Sequence, residues 1–389
     1  MPIYKKEHEQ ALKIYAAERA DQYADLLSAL GKFLESSVLP LSTKFDSKEQ
    51  KITAPRKELL AKGICRIAYP ERYGGLGLPS MVYIMAMELA GTADAGMAMS
   101  IGIHNTAADG ISSFGNEEQK KSFLAPLISG EKLGAFALTE PTSGSDARAI
   151  HTTARKTGGR YVLNGTKMFI TNAGEADVYF VFATTDSGPS SFLVEKDTSG
   201  LMIGEDLPKL GMRGSRTAEV RLVDCEIPAE NLVGQEGKGF DYATSMLNGS
   251  RIVMGSLCVG VAQLAFEKAT AYSKQRKAFG KEISDFQLIR EKIADMKTGI
   301  TAGRLLCLYA SRLRDMGADY ASEAAQAKVF ATEMSQRVCD EAIQILGGYG
   351  YTNEDVHRHW RDARLLTIGE GTSEVLRLII ASRELAKSV

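Results

Sequence analysis

The hydrophobic period of this chain changes twice along its length. That change restricts the fold more than any other feature, because a helix buries every third or fourth residue and a strand every second. From Lys5 to about Ser129 the period is helical: Ala11, Tyr23, Leu26, Leu27, Leu30 and Phe33 share one broad face, and Met81 to Leu89 predicts another apolar helix. Between them, the run Pro70-Glu71-Arg72-Tyr73-Gly74-Gly75-Leu76-Gly77 is a turn-rich break. From about Ala135 to Asp224 the period shortens. Tyr161-Val162-Leu163 and Lys167-Met168-Phe169-Ile170 flank Asn164-Gly165, which predicts a type I′ hairpin because both turn residues tolerate positive φ. Val178 to Thr184, Ser191 to Glu195 and Ala218 to Val223 read as further strands. No helices alternate with them, so a small sheet or barrel is expected and a βαβ series is not. From Phe240 onward the helical period returns. Ile293, Met296, Ile300, Gly303, Cys307 and Ala310 form one packing stripe, and Phe330, Met334, Val338, Ala342 and Ile345 form another. Short loops join these helices, which favours an antiparallel bundle. The expected fold is multidomain α and β: an N-terminal helical domain over 1–130, a small middle β-barrel or sheet domain over 131–232, and a C-terminal antiparallel helical bundle over 233–389.

Composition narrows the function classes. Lys plus Arg total 47 against 48 Asp plus Glu, a net charge of −1 with no long block of one sign, so binding to nucleic acid by counterion release is not expected. With 44% apolar residues the 389-residue chain can bury a large core. Cys65, Cys225, Cys258, Cys307 and Cys339 are scattered and read as reduced thiols. His8, His104, His151, His357 and His359 make no metal-like constellation, so no metal is expected, and His104 reads as a packing residue. The first ten residues carry Glu7, His8 and Glu9 among lysines and no apolar run, unlike a secretory or transit leader. No stretch approaches a membrane span without charge. A soluble cytoplasmic protein is expected, or one of the mitochondrial matrix whose leader is absent from this chain.

The chemistry concentrates in a few segments. Phe136-Ala137-Leu138-Thr139-Glu140-Pro141-Thr142-Ser143-Gly144-Ser145-Asp146 is a strand-like run followed by a loop rich in hydroxyls, able to offer several N–H and O–H groups to one polar ligand. Taken alone it reads equally well as a strand and a Ser/Thr-rich turn. Further segments follow in order: Lys167-Met168-Phe169-Ile170-Thr171-Asn172, Leu210-Gly211-Met212-Arg213-Gly214-Ser215, Arg276-Lys277-Ala278-Phe279-Gly280-Lys281 with Gln287, Gln344-Ile345-Leu346-Gly347-Gly348-Tyr349-Gly350-Tyr351, and Ile368-Gly369-Glu370-Gly371-Thr372-Ser373-Glu374. In this order, and over nearly the whole chain, they resemble the signatures of the acyl-CoA dehydrogenase family.

The resemblance implies a noncovalent FAD and an acyl-CoA substrate. It implies flavin contacts at Phe136, Leu138, Thr139 and Ser145, with Ser145 also near the CoA moiety, and at Phe169 and Thr171 beside the isoalloxazine ring. Neutral donors there suit a cofactor whose reduced form carries negative charge. Arg276, Phe279, Gln287, Gln344, Gly347, Gly348, Thr372 and Glu374 are implied as further cofactor contacts, partly toward the FAD of a neighbouring subunit. On the residues alone Arg276 reads as a solvated charge among Lys274, Lys277 and Lys281; within the ordered set it is a diphosphate contact.

Glu370 is the implied catalytic base, which takes the α-proton while the β-hydrogen leaves as hydride to the flavin. A carboxylate between two glycines can face a cleft, and a water-poor pocket raises its pKa toward neutrality. The family's alternative base position falls in Leu247-Asn248-Gly249-Ser250-Arg251, where isovaleryl- and long-chain-type members carry Glu and this chain has Ser250. Asn248, Arg251, Ser145 and Gly371 are the implied substrate-side residues, and the backbone N–H of Glu370 is implied as a donor to the thioester oxygen. Gly96 or Met97 occupies the place of the arginine that binds the distal carboxylate in glutaryl-type members, which disfavours a dicarboxylic substrate. The stretch Thr352 to Arg358 is one residue short of the family pattern and lacks its proline, which is expected to reshape a loop near the adenine end. Asp94 reads as a helix N-cap, with an acid near the acyl pocket as its second reading. The expected activity is α,β-dehydrogenation of an acyl-CoA to the 2-enoyl-CoA by a homotetramer, a dimer of dimers, with electrons passed to an electron-transferring flavoprotein. The competing expectations are a cyclic acyl-CoA dehydrogenase or an acyl-CoA oxidase on the same fold, and a non-catalytic acyl-CoA- or flavin-binding protein.

Overall fold

In the computed structural model, which describes all residues except 1, 4, 17, 18 and 387–389, the first part of the chain is helical as its period predicts. Its main helices are α1 (Lys6–Ala16), α2 (Ala20–Phe33), α3 (Ser80–Ala93) and α4 (Ala95–Phe114). Every residue of α3 is buried, as befits a helix that is apolar all round. Asp94 is the N-cap of α4: its carboxylate accepts from the Met97 N–H at 2.7 Å, as its sequence position predicts. The last part of the chain forms α5 (Gly239–Gln275), α6 (Gln287–Asp315), α7 (Ala321–Leu346), α8 (Glu354–Leu366) and α9 (Ser373–Leu385). The apolar window of α5 is long enough to cross a membrane, but 83% of it is buried inside the protein.

The two helical parts share one core. Leu27, Met85 and Leu89 from the first cluster with Leu257, Val261, Ile300 and Ala331 from the second. They merge because α3 and α5 touch backbone to backbone. A Cβ added at Gly260 would lie 2.1 Å from the Glu88 carbonyl oxygen, and one at Gly91 would lie 2.4 Å from that of Leu257. Only glycine permits this approach. Beside the crossing, Arg304 of α6 donates to Glu88 from both Nε (3.0 Å) and Nη2 (2.7 Å), while His8 Nε2 of α1 lies 3.2 Å from the same carboxylate. The predicted stripes on α6 and α7 face this core; Ile300, Cys307, Met334 and Ala342 are buried.

The middle segment is a sheet of β1 (Gly134–Ala137), β2 (Thr153–Thr157), β3 (Arg160–Thr171), β4 (Val178–Thr185), β5 (Gly188–Glu195), β6 (Leu201–Ile203), β7 (Thr217–Pro228) and β8 (Leu232–Val233). The strand order is β6-β7-β3-β2-β4-β5-β8, with β1 added parallel to β4. The hairpin expected at Asn164-Gly165 is not formed: both residues lie inside the continuous strand β3, at a bulge opposite β7. Gly165 serves close packing instead, since a Cβ there would sit 2.5 Å from the Thr152 hydroxyl. The two-residue hairpin turn is at Gly158-Gly159, between the Thr157–Arg160 pair of β2 and β3.

Two buried groups join the sheet to the helices. His104 of α4 accepts from the Gly134 N–H through Nδ1 (2.9 Å) and meets the Leu127 carbonyl through Nε2 (3.1 Å). Burial lowers its pKa to about 4, so it stays neutral and structural. Arg358 of α8 is buried between Asp94 (3.6 Å) and Asp362 (3.3 Å), and Asp362 accepts from the Met212 N–H of the middle segment. The stretch expected to form an altered loop is the start of α8, capped by Asn353.

Burial pushes the Glu88 carboxyl up, but the charges of Arg304 and His8 outweigh it and hold the pKa at about 2, below the ordinary 4.5. A lowered carboxyl stabilises the fold fully above pH 4.5, and that contribution is lost as pH falls from there toward 2. Glu88→Gln leaves Arg304 buried and uncompensated, so denaturant unfolding at neutral pH is expected to show a loss of about 3–5 kcal/mol. The deficit should shrink in the acid range where wild-type Glu88 becomes protonated.

Candidate active site

Glu370 lies on the turn between α8 and α9, a segment that starts where the apolar face of α8 ends at Leu366 and stops at Thr372, whose hydroxyl caps α9 by accepting from the Val375 N–H. Glu370 and Gly371 have φ of 58° and 98°. A glutamate in the left-handed region is uncommon and must be held there by its surroundings. Lys328 of α7, fully buried, does so by donating to the Gly371 carbonyl at 2.7 Å, and the Ser373 N–H closes the turn onto Thr367. The Glu370 N–H has no hydrogen-bond partner among the described residues.

The two oxygens of the Glu370 carboxylate differ. Oε1 accepts from Ser250 Oγ at 2.8 Å; Oε2 is sealed from solvent and has no partner. Arg251, 5% exposed, lies beside the turn, donates to Asn248 Oδ1 at 2.6 Å and keeps a buried Nε without a partner. Burial raises the Glu370 pKa above the ordinary carboxylate range, while the Ser250 hydrogen bond and the Lys328 and Arg251 charges oppose it. Lys328 is itself lowered by burial to about 8. The result is a poised base next to an unsatisfied guanidinium N–H, an arrangement that can accept a proton from, and donate to, a polar ligand entering between them.

The loop after β1 and the bulge of β3 form a second group. Met168 N–H donates to the Thr139 carbonyl (2.8 Å), and the buried Lys167 ammonium donates to the Leu138 carbonyl (3.1 Å) and to Glu140 (2.7 Å). Glu140 also accepts from the backbones of His151 and Thr152. The bulge between Lys167 and Ile170 breaks the ladder to β7 and turns Phe169 outward, with φ 61° and 63% of its surface exposed. Phe136 packs edge-on against Phe182, and Thr171 pairs with Thr217 at the strand end. Ser145 is exposed on the loop and is not drawn into this network.

The third group is a depression of about 580 Å³ shared by Arg276, Gly347 and Gly348 with Tyr272 and Tyr349. A Cβ at either glycine would meet only open space, and Arg276 makes no ion pair among the described residues. Phe279, Gln287 and Gln344 are exposed and outside the lining of this depression, Phe279 by 96% of its surface at φ 51°. Glu374 is exposed on the first turn of α9. Gly96 packs against Asp94, Met212 and Ser215, and Met97 is fully buried.

Reading the sequence missed Lys328, Thr106 and the role of Lys167. Lys328 left one signal, a charge next to the buried alanines Ala324, Ala325 and Ala327 of α7.

Three family models match the chain: the acyl-CoA dehydrogenase N-terminal domain over residues 20–131, the middle domain over 135–225 and the C-terminal domain over 237–385. The chain belongs to the acyl-CoA dehydrogenase family. It is 41% identical to the mitochondrial short-chain specific acyl-CoA dehydrogenase of Homo sapiens, covering 94% of this chain and 90% of that one. The solved butyryl-CoA dehydrogenase of Megasphaera elsdenii is 41% identical with a TM-score of 0.92, covering 94% of this chain and 98% of that one. A chain solved with the electron transferring flavoprotein of Acidaminococcus fermentans as its subject is 39% identical, with a TM-score of 0.90 and full coverage of both. The residues present fit the family's FAD: an unpaired guanidinium faces an open glycine floor suited to a diphosphate, and an outward phenylalanine stands beside a loop of neutral donors suited to a flavin ring.

Lys328→Met removes a positive charge and a hydrogen bond from the Glu370 turn. The Glu370 carboxyl is then expected to titrate at higher pH than in wild type, read as the pH at which its protonated C=O infrared band disappears; an unchanged titration would contradict the electrostatic role.

Proposed function

We propose that this chain is an FAD-dependent acyl-CoA dehydrogenase acting on short acyl-CoA thioesters. The observation that carries this reading is the half-buried Glu370, its carboxyl raised in pKa by desolvation and its Oε2 without a partner among the described residues. Its substrate class is supported by the similarity to short-chain specific and butyryl-CoA enzymes.

In this reading the thioester enters between the Glu370 turn and the Phe169 bulge. The free N–H of Glu370 donates to the thioester oxygen, so that negative charge developing on the carbonyl meets a preorganised donor. The Glu370 carboxylate takes the α-proton, and the electron pair of the broken C–H bond becomes the α,β double bond as the β-hydrogen departs with its own pair. Bound FAD supplies the hydride acceptor. Arg276, Gly347 and Gly348 would hold its diphosphate, and Leu138, Thr139, Phe169 and Thr171 would flank its ring. Lys328 and Arg251 place positive charge near Glu370, which opposes the rise in its pKa that burial causes. The exposure of Phe279, Gln287 and Gln344 supports a homotetramer in which a neighbouring subunit uses them, and the similarity to a chain from an electron transferring flavoprotein structure supports such a flavoprotein as electron acceptor.

Glu370→Gln is expected to retain its flavin absorbance but to lose turnover of butyryl-CoA by roughly 10²–10⁴-fold. Turnover near wild type would remove Glu370 from the mechanism and favour a non-catalytic binding role. Arg276→Ala is expected to weaken FAD retention roughly tenfold or more, measured by equilibrium dialysis, because a charge-assisted contact is lost.

A further inference from the structure

We propose that Ser250, oriented by Thr106, is a positioning residue that anchors the Glu370 carboxylate through Oε1 and favours its ionised form. This rests on the reading of Glu370 as the base.

The geometry is a chain of two hydroxyls. Ser250 Oγ lies 2.8 Å from Glu370 Oε1 and 2.9 Å from Thr106 Oγ1, and Thr106 Oγ1 lies 2.9 Å from the Gly102 carbonyl. Both residues are buried, Ser250 on α5 and Thr106 on α4. Each hydroxyl owns one hydrogen, and an ionised carboxylate can only accept. The Ser250 hydrogen therefore goes to Glu370, and Ser250 Oγ is left to accept. Thr106 is placed to fill that need by turning its hydrogen from the Gly102 carbonyl, its ordinary helical partner, to Ser250. A chain aligned in this way polarises each bond in the same direction.

Two consequences follow for the base. Ser250 is the one hydrogen-bond donor to this carboxylate among the described residues. The other groups that face it act differently: Arg251 on α5 and Lys328 on α7 contribute charge, and the buried Tyr83 hydroxyl on α3 senses the Glu370 charge without a hydrogen-bond partner of its own. The hydrogen bond from Ser250 restrains the carboxylate at Oε1. Because a hydrogen bond to the ionised form is stronger than one to the neutral acid, the hydroxyl pair also favours the ionised base against the cost of burial. Removing it raises the pKa of Glu370, so the acid limb of the rate profile moves to higher pH.

The test uses the FAD-loaded protein and three variants, Ser250→Ala, Thr106→Val and Thr106→Ser. Flavin reduction by butyryl-CoA is followed across pH in a stopped-flow instrument. In parallel, the Glu370 carboxyl is titrated by infrared difference spectroscopy without substrate, its band identified by its absence from Glu370→Gln. Ser250→Ala is expected to move the acid limb and the carboxyl titration together to higher pH by about one unit. Thr106→Val should move both in the same direction by less, and Thr106→Ser, which keeps the hydroxyl, should match wild type. The proposal is overturned if Ser250→Ala leaves both titrations in place, or if Thr106→Ser shifts them as far as Thr106→Val, which would make the effect one of packing. Rapid flavin reduction in Glu370→Gln would instead overturn the assignment of the base, an outcome separable from the others because the carboxyl titration requires no turnover.

Discussion

The contact on which the rest of the structure depends is the crossing of α3 and α5 at Gly91 and Gly260. Helices usually pack with their side chains between them; here the Gly260 position faces the Glu88 carbonyl at a distance that admits no Cβ. This approach fuses the first and last helical parts of the chain into one core. It also sets α5 so that Ser250, roughly three turns upstream of the crossing, stands between α4 and the Glu370 turn. The Glu88–Arg304 pair lies beside the crossing and is sealed with it, so the geometry that places the base is backed by a group whose charge cannot escape to solvent.

The site keeps several charged groups out of water, at a cost that each must recover from its neighbours. Lys167 recovers it from Glu140 and the Leu138 carbonyl, and in doing so ties the loop after β1 to the bulge of β3. Lys328 recovers it from the Gly371 carbonyl and from the nearby Glu370 charge; for both lysines the recovery is partial, and burial brings each pKa down to about 8. Glu370 in turn is raised by burial and held back by Ser250, Lys328 and Arg251. The Glu370 carboxyl is thus set by burial and by three opposing groups from two helices, α5 and α7.

Much of this was legible in the residues. The two changes of period marked the helical, β and helical parts, the stripes on α6 and α7 named their buried faces, and Asp94 was recognisable as a cap from the small apolar run after it. The order of the motifs led to Glu370, Arg276 and the Phe169 segment. Where the reading failed, local chemistry had two outlets. Asn164-Gly165 carries the signature of a tight turn, but Gly165 is needed for the approach of Thr152, and the turn falls instead at Gly158-Gly159. Thr352 to Arg358 looked like a reshaped loop, whereas Asn353 caps a helix there.

Determined by the sequence alone were the periodicity and the caps, because each depends on residues close together in the chain, while the order of the motifs singled out Glu370 as the expected base. Only the tertiary structure decided which groups surround that base. Ser250 and Lys328 meet the Glu370 turn from two separate helices and Thr106 reaches it through Ser250 from a third; the resemblance singles out the Ser250 position, but nothing in the segments of Thr106 and Lys328 marks them as partners of a residue so distant along the chain. The physical reason is that a carboxylate's pKa and orientation are set by burial and by charges and donors within a few ångströms, and those distances are fixed by how the helices cross.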